Sequence, residues 1–386
     1  MKLAIVHGKV LTMSDKVPKV IPEGTVLLND EIIEDILDKS AAVPDGYRII
    51  DAKGCVVMPG IVEAHCHMGI TEEKKGMEGD DCNEGVDPIT PSLRAIDAIN
   101  PMDDAFHNAG KAGITAAMIG PGSSNVVGGQ FVVVNNHGRC IDDMILKFPA
   151  ALKVAFGENP KVNYSGMGKS PSTRMAIAAM LRKELLAAKQ YISDDQKETD
   201  LRYEAFRPVL EKQIPLKAHA HRADDILTAI RIAKEFDINM TLDHCSEGHL
   251  IAEQIKAAGF PAIVGPDLAS RNKIEVKNMA FKTAGILSKA GVLTAITTDH
   301  PVSLIQSLPI CAALAVKEGM DMEDALAAIT INAAKICQVD DKIGSLEPGK
   351  QADVVIFDGH PFDIFTQSMC TLIKGEIVYR SPRFFI

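Results

Sequence analysis

An α/β fold, with a parallel β-sheet closed as a (β/α)8 TIM barrel at its centre, is predicted by three features of the 386-residue chain. Short aliphatic runs alternate with alanine-rich helical runs from about residue 59 to residue 340, the pattern of repeated βα units. Both chain ends carry strand signals only. Histidines and an aspartate recur where the alternating strands end, which favours a closed barrel over an open doubly wound sheet, because barrel enzymes gather their reactive side chains at the carboxyl ends of several strands.

The elements follow in order. Residues 3–13, 24–28 and 47–58 read as strands, broken by turns at Asn29-Asp30 and Pro44-Asp45-Gly46. In the middle, strand–helix pairs include 217–220 with 223–236, and 240–242 with 246–258. Predicted strands end at His65, Met118, Phe156, His219, Asp243, Val264 and Thr298, and an eighth is completed by 131–134. After Gly344 strand signals return at 352–357 and 369–379. There is no fixed-period repeat and no low-complexity segment.

Composition removes several classes of function. With 41 Lys and Arg against 51 Asp and Glu the net charge is -10, so nucleic acid is not an expected partner. The absence of Trp and an aromatic content of 5% argue against stacking platforms for bases or sugars. Eight cysteines without a CxxC pair, and no apolar leader, point to buried free thiols in a reducing cytoplasm. No apolar run reaches the roughly 18 residues of a membrane span. The expected partner is a small-molecule substrate, with a homo-oligomer left open. Two glycine-rich segments are decoys: Gly120-Pro121-Gly122 lacks the third glycine of a dinucleotide fingerprint, and Gly168-Lys169-Ser170 has Asn163 where a phosphate loop needs its first glycine.

The chemistry-bearing pattern begins at Ile61-Val62-Glu63-Ala64-His65-Cys66-His67. Alternation along a strand puts both imidazoles on one face, and neutral imidazole is a common ligand for divalent transition metals. One such pair is weak evidence. It is joined by His219 and His221, by Asp243-His244, and by Asp299-His300, each at a predicted strand end. His65, His67, His219, His244 and Asp299 would thus share one rim.

These residues resemble the amidohydrolase superfamily, metal-dependent hydrolases on a (β/α)8 barrel, in their imidazolonepropionase-like and prolidase-like branches. Met58-Pro59-Gly60-Ile61-Val62-Glu63-Ala64-His65-Cys66-His67 is similar to that family's Pro-Gly-x-x-Asp-x-His-x-His, with Glu63 replacing the usual acidic residue. The segment 344–356 is similar to the return into a small β-sandwich. The resemblance implies that 1–58 and 344–386 build that sandwich jointly and that 59–343 form the barrel. It implies one ion at His65 and His67, a second or shared position at His219 and His244, and Asp299 touching metal and water, with zinc expected, as one or two ions. For a further ligand the candidates are Glu158, where a strand gives way to a loop, and a carboxylated Lys153; Glu158 is preferred because a carboxylate needs no prior modification.

His221, His249 and His300 flank these positions and are candidates to bind substrate or an oxyanion, against the plainer reading of satisfied structural histidines. The expected activity is hydrolysis of an amide, cyclic amide or related C–N bond, with Asp299 as general base. Deaminase or lactonase chemistry on the same site, or a barrel that has lost its catalysis, are the alternatives.

Overall fold

The computed structural model describes residues 2–74, 76–194 and 198–384. Two eight-stranded sheets dominate. The first is made from both ends of the chain: β1 (Lys2–Leu11), β2 (Val20–Asn29), β3 (Ile32–Asp38), β4 (Arg48–Asp51) and β5 (Val56–Pro59) are joined by strands that follow the barrel in sequence. The second comprises β6 (Ile61–Cys66), β7 (Ile114–Ile119), β8 (Val127–Asn135), β9 (Ile145–Ala155), β10 (Leu216–Ala220), β11 (Met240–His244), β12 (Ala262–Val264) and β13 (Thr294–Ile296), in chain order around the barrel. The last three strands, β14 (Val354–Phe357), β15 (Ser368–Ile373) and β16 (Glu376–Arg380), complete the first sheet. The link is short: β14 pairs antiparallel with β5, Val354 opposite Pro59, just before β6 begins.

Every barrel strand from β10 to β13 is buried along its whole length, as expected of a sheet covered by helices on one side and filled by side chains on the other. The helical layer owes its order to ordinary devices. Ala223–Phe236 buries Ile226, Ala229, Ile230, Ile232 and Ala233 and stops at Asp237, which takes a left-handed conformation at φ 54°. Arg174–Ser193 starts at Thr173, whose hydroxyl accepts from Ala176 N.

The sequence-predicted eighth strand exists, but β8 runs antiparallel to both β7 and β9. Only residues 120–126 separate β7 from β8, too few for the helical crossover that returns a chain to a parallel neighbour. The cysteine expectation also needs correction. Five of the eight thiols are buried, whereas Cys55 and Cys82 are partly exposed and Cys140 is exposed. Among the described residues no helix is long and apolar enough to cross a membrane.

The barrel seam is closed without a ladder, since β6 and β13 stand at opposite ends of the hydrogen-bonded order. Glu63 bridges it. Its fully buried carboxylate accepts from Thr298 N at 2.9 Å and Thr298 Oγ1 at 2.7 Å through one oxygen, and from His65 N at 3.1 Å through the other. Thr297 Oγ1 donates to His65 O at 2.6 Å, and His67 N donates to His300 O at 2.8 Å. Burial pushes the Glu63 carboxyl upward, opposed by the bonds from Thr298 and His65 N. Glu63→Ala should therefore lower the unfolding free energy by about 2–4 kcal/mol, the scale for orphaning buried donors and opening a cavity, read from chemical denaturation in chelator. An unchanged midpoint would show that the seam does not depend on it.

Candidate metal centre

The histidines converge because local backbone irregularity re-aims them. The register of β6 on β7 jumps between Glu63, opposite Ala117, and Cys66, opposite Ile119, so β6 carries one extra residue in the interval and bulges beside His65. His244 at the end of β11 and Asp299 in the turn after β13 adopt left-handed backbone at φ 76° and φ 51°, strained for residues with a Cβ. The result is one cluster. The His65 ring centroid lies 5.3 Å from that of His67 and 5.1 Å from that of His244, and His219 lies 4.4 Å from His244.

Two overlapping sets of ligand-type atoms emerge, His65, His244 and Asp299 in one and His219, His221 and His244 in the other, each with its atoms within 4.8 Å of one another. Asp299 Oδ1 is 3.3 Å from His65 Nε2 and 3.1 Å from His67 Nε2, and it is buried without a hydrogen-bond partner. His67 Nδ1 lies 2.7 Å from Gly120 O, and His244 Nδ1 lies 2.8 Å from Gly265 O. A carbonyl can only accept, so each Nδ1 carries a proton and Nε2 is the nitrogen each ring turns toward the centre, a ligand atom whenever it is deprotonated. His244 Nε2 is buried and unpartnered. These orphaned atoms and the donor set fit a divalent ion.

A buried charge network stands behind His65. Its Nδ1 is 3.0 Å from Asp243 Oδ2, and Lys217 Nζ lies 3.4 Å from both Asp243 oxygens and donates to Ala64 O at 3.0 Å. Burial opposes the charge on Asp243, yet Lys217 and His65 hold it far below the usual carboxylate range. Such a carboxylate behind a ligating ring orients it and raises its basicity. The imidazoles of His219 and His244 are held well below their ordinary range by burial first and by neighbouring rings next. Burial, then Lys273, takes His221 down to about 4. His67 differs: burial works against its charge, but Cys82 and Asp299 outweigh that and lift it to about 10. On Asp299 burial would raise the carboxyl, while His244, His65 and His67 keep it well below the normal range.

The preferred carboxylate ligand is not brought to this cluster. Glu158 opens the helix Glu158–Gly166, where its carboxylate accepts from Glu275 N at 3.2 Å, and it belongs to neither ligand group. Lys153, the alternative candidate, is fully buried with Nζ 3.3 Å from His65 Nε2. Burial, partly countered by Asp243 and Asp299, lowers its ammonium to about 8. β9 thus comes level with the cluster at Lys153, two residues before it stops.

His249 and His300 do not line the cavity that opens on the cluster. His249 Nδ1 is 3.0 Å from Thr283 Oγ1, and the buried His300 Nδ1 accepts from Ile305 N at 3.1 Å while its Nε2 is buried without a partner. His221 does line it, with Nδ1 2.7 Å from Ser246 Oγ. Residues missed from sequence are Lys217, which shares the alternation of His219 and could have been found that way, and Glu275 and Lys273, which reach the wall from a loop with no local signal.

The cavity has a volume of about 570 Å³ and is walled on one side by His67, His219, His221 and Asp299, ample for a small substrate. A barrel with imidazoles and a carboxylate converging at its strand ends defines a candidate metallohydrolase scaffold. The chain belongs to the amidohydrolase family, whose model matches residues 56–380. A solved amidohydrolase from Thermotoga maritima MSB8 is 39% identical, superposes with a TM-score of 0.94, and is aligned over 98% of this chain and 100% of its own. The amidohydrolase tasK of Hapsidospora irregularis is 28% identical over 93% of this chain, which spans 40% of the length of that relative. An imidazolonepropionase from Picrophilus torridus is 25% identical over 91% of this chain and 90% of its own length. A prolidase solved with N-methylphosphonate-L-proline, at 17% identity and a TM-score of 0.62, shares the fold.

Two outcomes follow for the purified protein. Replacing both His65 and His67 with Ala should empty the site by elemental analysis while circular dichroism is unchanged; Lys153→Met should lower metal content and Glu158→Gln should not, and the reverse pattern would restore Glu158 as ligand. Because protonated His67 competes with an ion for Nε2 below about 10, apparent zinc affinity should climb with pH from 7 to 9, by about tenfold per unit for one displaced proton. A flat titration would remove His67 from the ligand set.

Proposed function

We propose that this protein is a cytoplasmic metal-dependent hydrolase acting on the C–N bond of a small amide or cyclic amide. The observation that carries the reading is the unpartnered Asp299 Oδ1 between His65 Nε2 and His67 Nε2 at the edge of the cavity. His65, His67, His244 and Asp299 would hold an ion, zinc by the nitrogen-rich donor set, with His219 and a carboxylated Lys153 available to a second. When bound, the ion supplies an acidified water and polarises the substrate carbonyl.

Everything else is the work of the chain. Asp299, kept ionised by the surrounding imidazoles, accepts the proton that the attacking water loses as its oxygen bonds to the carbonyl carbon. As the C–N bond breaks, Asp299 returns that proton to the leaving nitrogen, so acid and amine are formed and the carboxylate is restored. His221, neutral and fixed by Ser246, faces the cavity and orients the substrate carbonyl. Lys217 and Asp243 keep His65 in one orientation through the cycle, so the ligand geometry needs little reorganisation.

Asp299→Asn keeps one coordinating oxygen and loses the base. Metal content should persist while kcat falls by about 10²-fold or more, the scale for an acid–base group. His219→Ala should lower metal content and turnover together. Near-normal kcat in Asp299→Asn, with metal retained, would assign the proton to another residue.

A further inference from the structure

The wall of the cavity next to His219 holds a feature that hydrolysis alone does not require. Lys273 is the one Lys or Arg among the described residues lining it. Its ammonium is built into place: Nζ pairs with Glu275 Oε1 at 2.6 Å and donates to Asn159 Oδ1 at 2.8 Å. Each holder is itself held. Glu275 Oε2 accepts from Glu158 N at 2.7 Å, and Asn159 Nδ2 donates to Ser123 Oγ at 2.7 Å. An ammonium has three donors, and these two acceptors leave one for a ligand.

Access is asymmetric. The Glu275 side chain is 1% exposed and that of Lys273 is 25% exposed, so the carboxylate stands behind the lysine and a ligand meets the cation first. Glu275 Oε1 also lies 3.6 Å from His219 Nε2, which puts the ammonium close to the candidate metal centre. Beside it the wall is aliphatic, with Val276, Met279 and Val302.

We propose that Lys273, positioned by Glu275 and Asn159, anchors a carboxylate of the substrate a few bonds from the scissile carbonyl. The substrate class is then an N-acyl α-amino acid with an aliphatic side chain, an assignment that rests on the C–N hydrolase reading above. The carboxylate of the leaving amine takes the free donor of Lys273, the side chain lies on Val276, Met279 and Val302, and the acyl carbonyl is directed toward His221 and Asp299. A charge-assisted bond in a site sheltered from water discriminates strongly against an uncharged analogue.

The test uses the full, zinc-loaded protein with N-acetyl-L-leucine and N-acetyl-L-leucinamide, which differ only in the anionic group. Calorimetry reads binding and an amino-group assay reads release of the free amine. The acid is expected to bind at least about tenfold more tightly than the amide, the difference of roughly one charge-assisted hydrogen bond. Lys273→Met should remove most of that ratio at unchanged metal content, and Lys273→Arg should retain part of it. Equal binding of the two probes, binding of neither, or equal losses on both in Lys273→Met would overturn the anchor. The wild-type ratio decides alone if Lys273→Met does not fold. Preferential binding of the acid without amine release would sink the hydrolase reading and leave the anchor standing.

Discussion

The Glu63 carboxylate is the constraint on which the rest of the barrel rim depends. The two strands that must meet to close the barrel do not share a ladder, so the seam is held by side chains and by bonds from the segment after β13. Glu63 binds Thr298 on one side and His65 N on the other. The strand carrying His65 and His67 is thereby fastened to the turn carrying Asp299. The acidic position before the two histidines is therefore structural, and the longer glutamate serves it because it reaches across a gap that backbone hydrogen bonds leave unfilled. A buried carboxylate costs desolvation, offset here by three donors.

Farther inside, the site is supported by charges that never touch solvent. Lys153, Lys217 and Asp243 are fully buried, and both ammonium groups stand 5.5 Å from the Phe131 ring centroid. One carboxylate facing two lysines leaves this layer short of negative charge. That imbalance disfavours a protonated His65. A carboxylate supplied by the chain at Glu158 would sit beyond the cluster, occupied with the loop that carries Glu275.

That outer loop gives the cavity its individual character. The likeness to the Thermotoga maritima structure extends over essentially the entire chain, whereas the distant prolidase shares architecture alone. Specificity in such barrels resides in the βα loops. Here the loop after β12 delivers Lys273 and Glu275, and the loops after β7 and β9 deliver Ser123 and Asn159. Three separate connections thus meet in one polar chain beside His219.

The alternation of aliphatic and alanine-rich runs, the β-rich ends, and the placing of His65, His67, His219, His244 and Asp299 at strand ends were legible in the sequence by itself. Each is a local pattern with period two or about 3.6, or a residue type at the end of such a pattern. Three matters were decided only in three dimensions. The direction of β8 depended on a connection too short to cross over. That Lys153 rather than Glu158 lies beside His65 depended on how far β9 rises before reaching the cluster, a matter of barrel stagger rather than of any residue. Which histidines face the cavity, His221 but not His249 or His300, depended on contacts with Ser246, Thr283 and Ile305. Sequence patterns report which face of an element is buried; what lies across from that face is set by long-range packing between segments far apart in the chain.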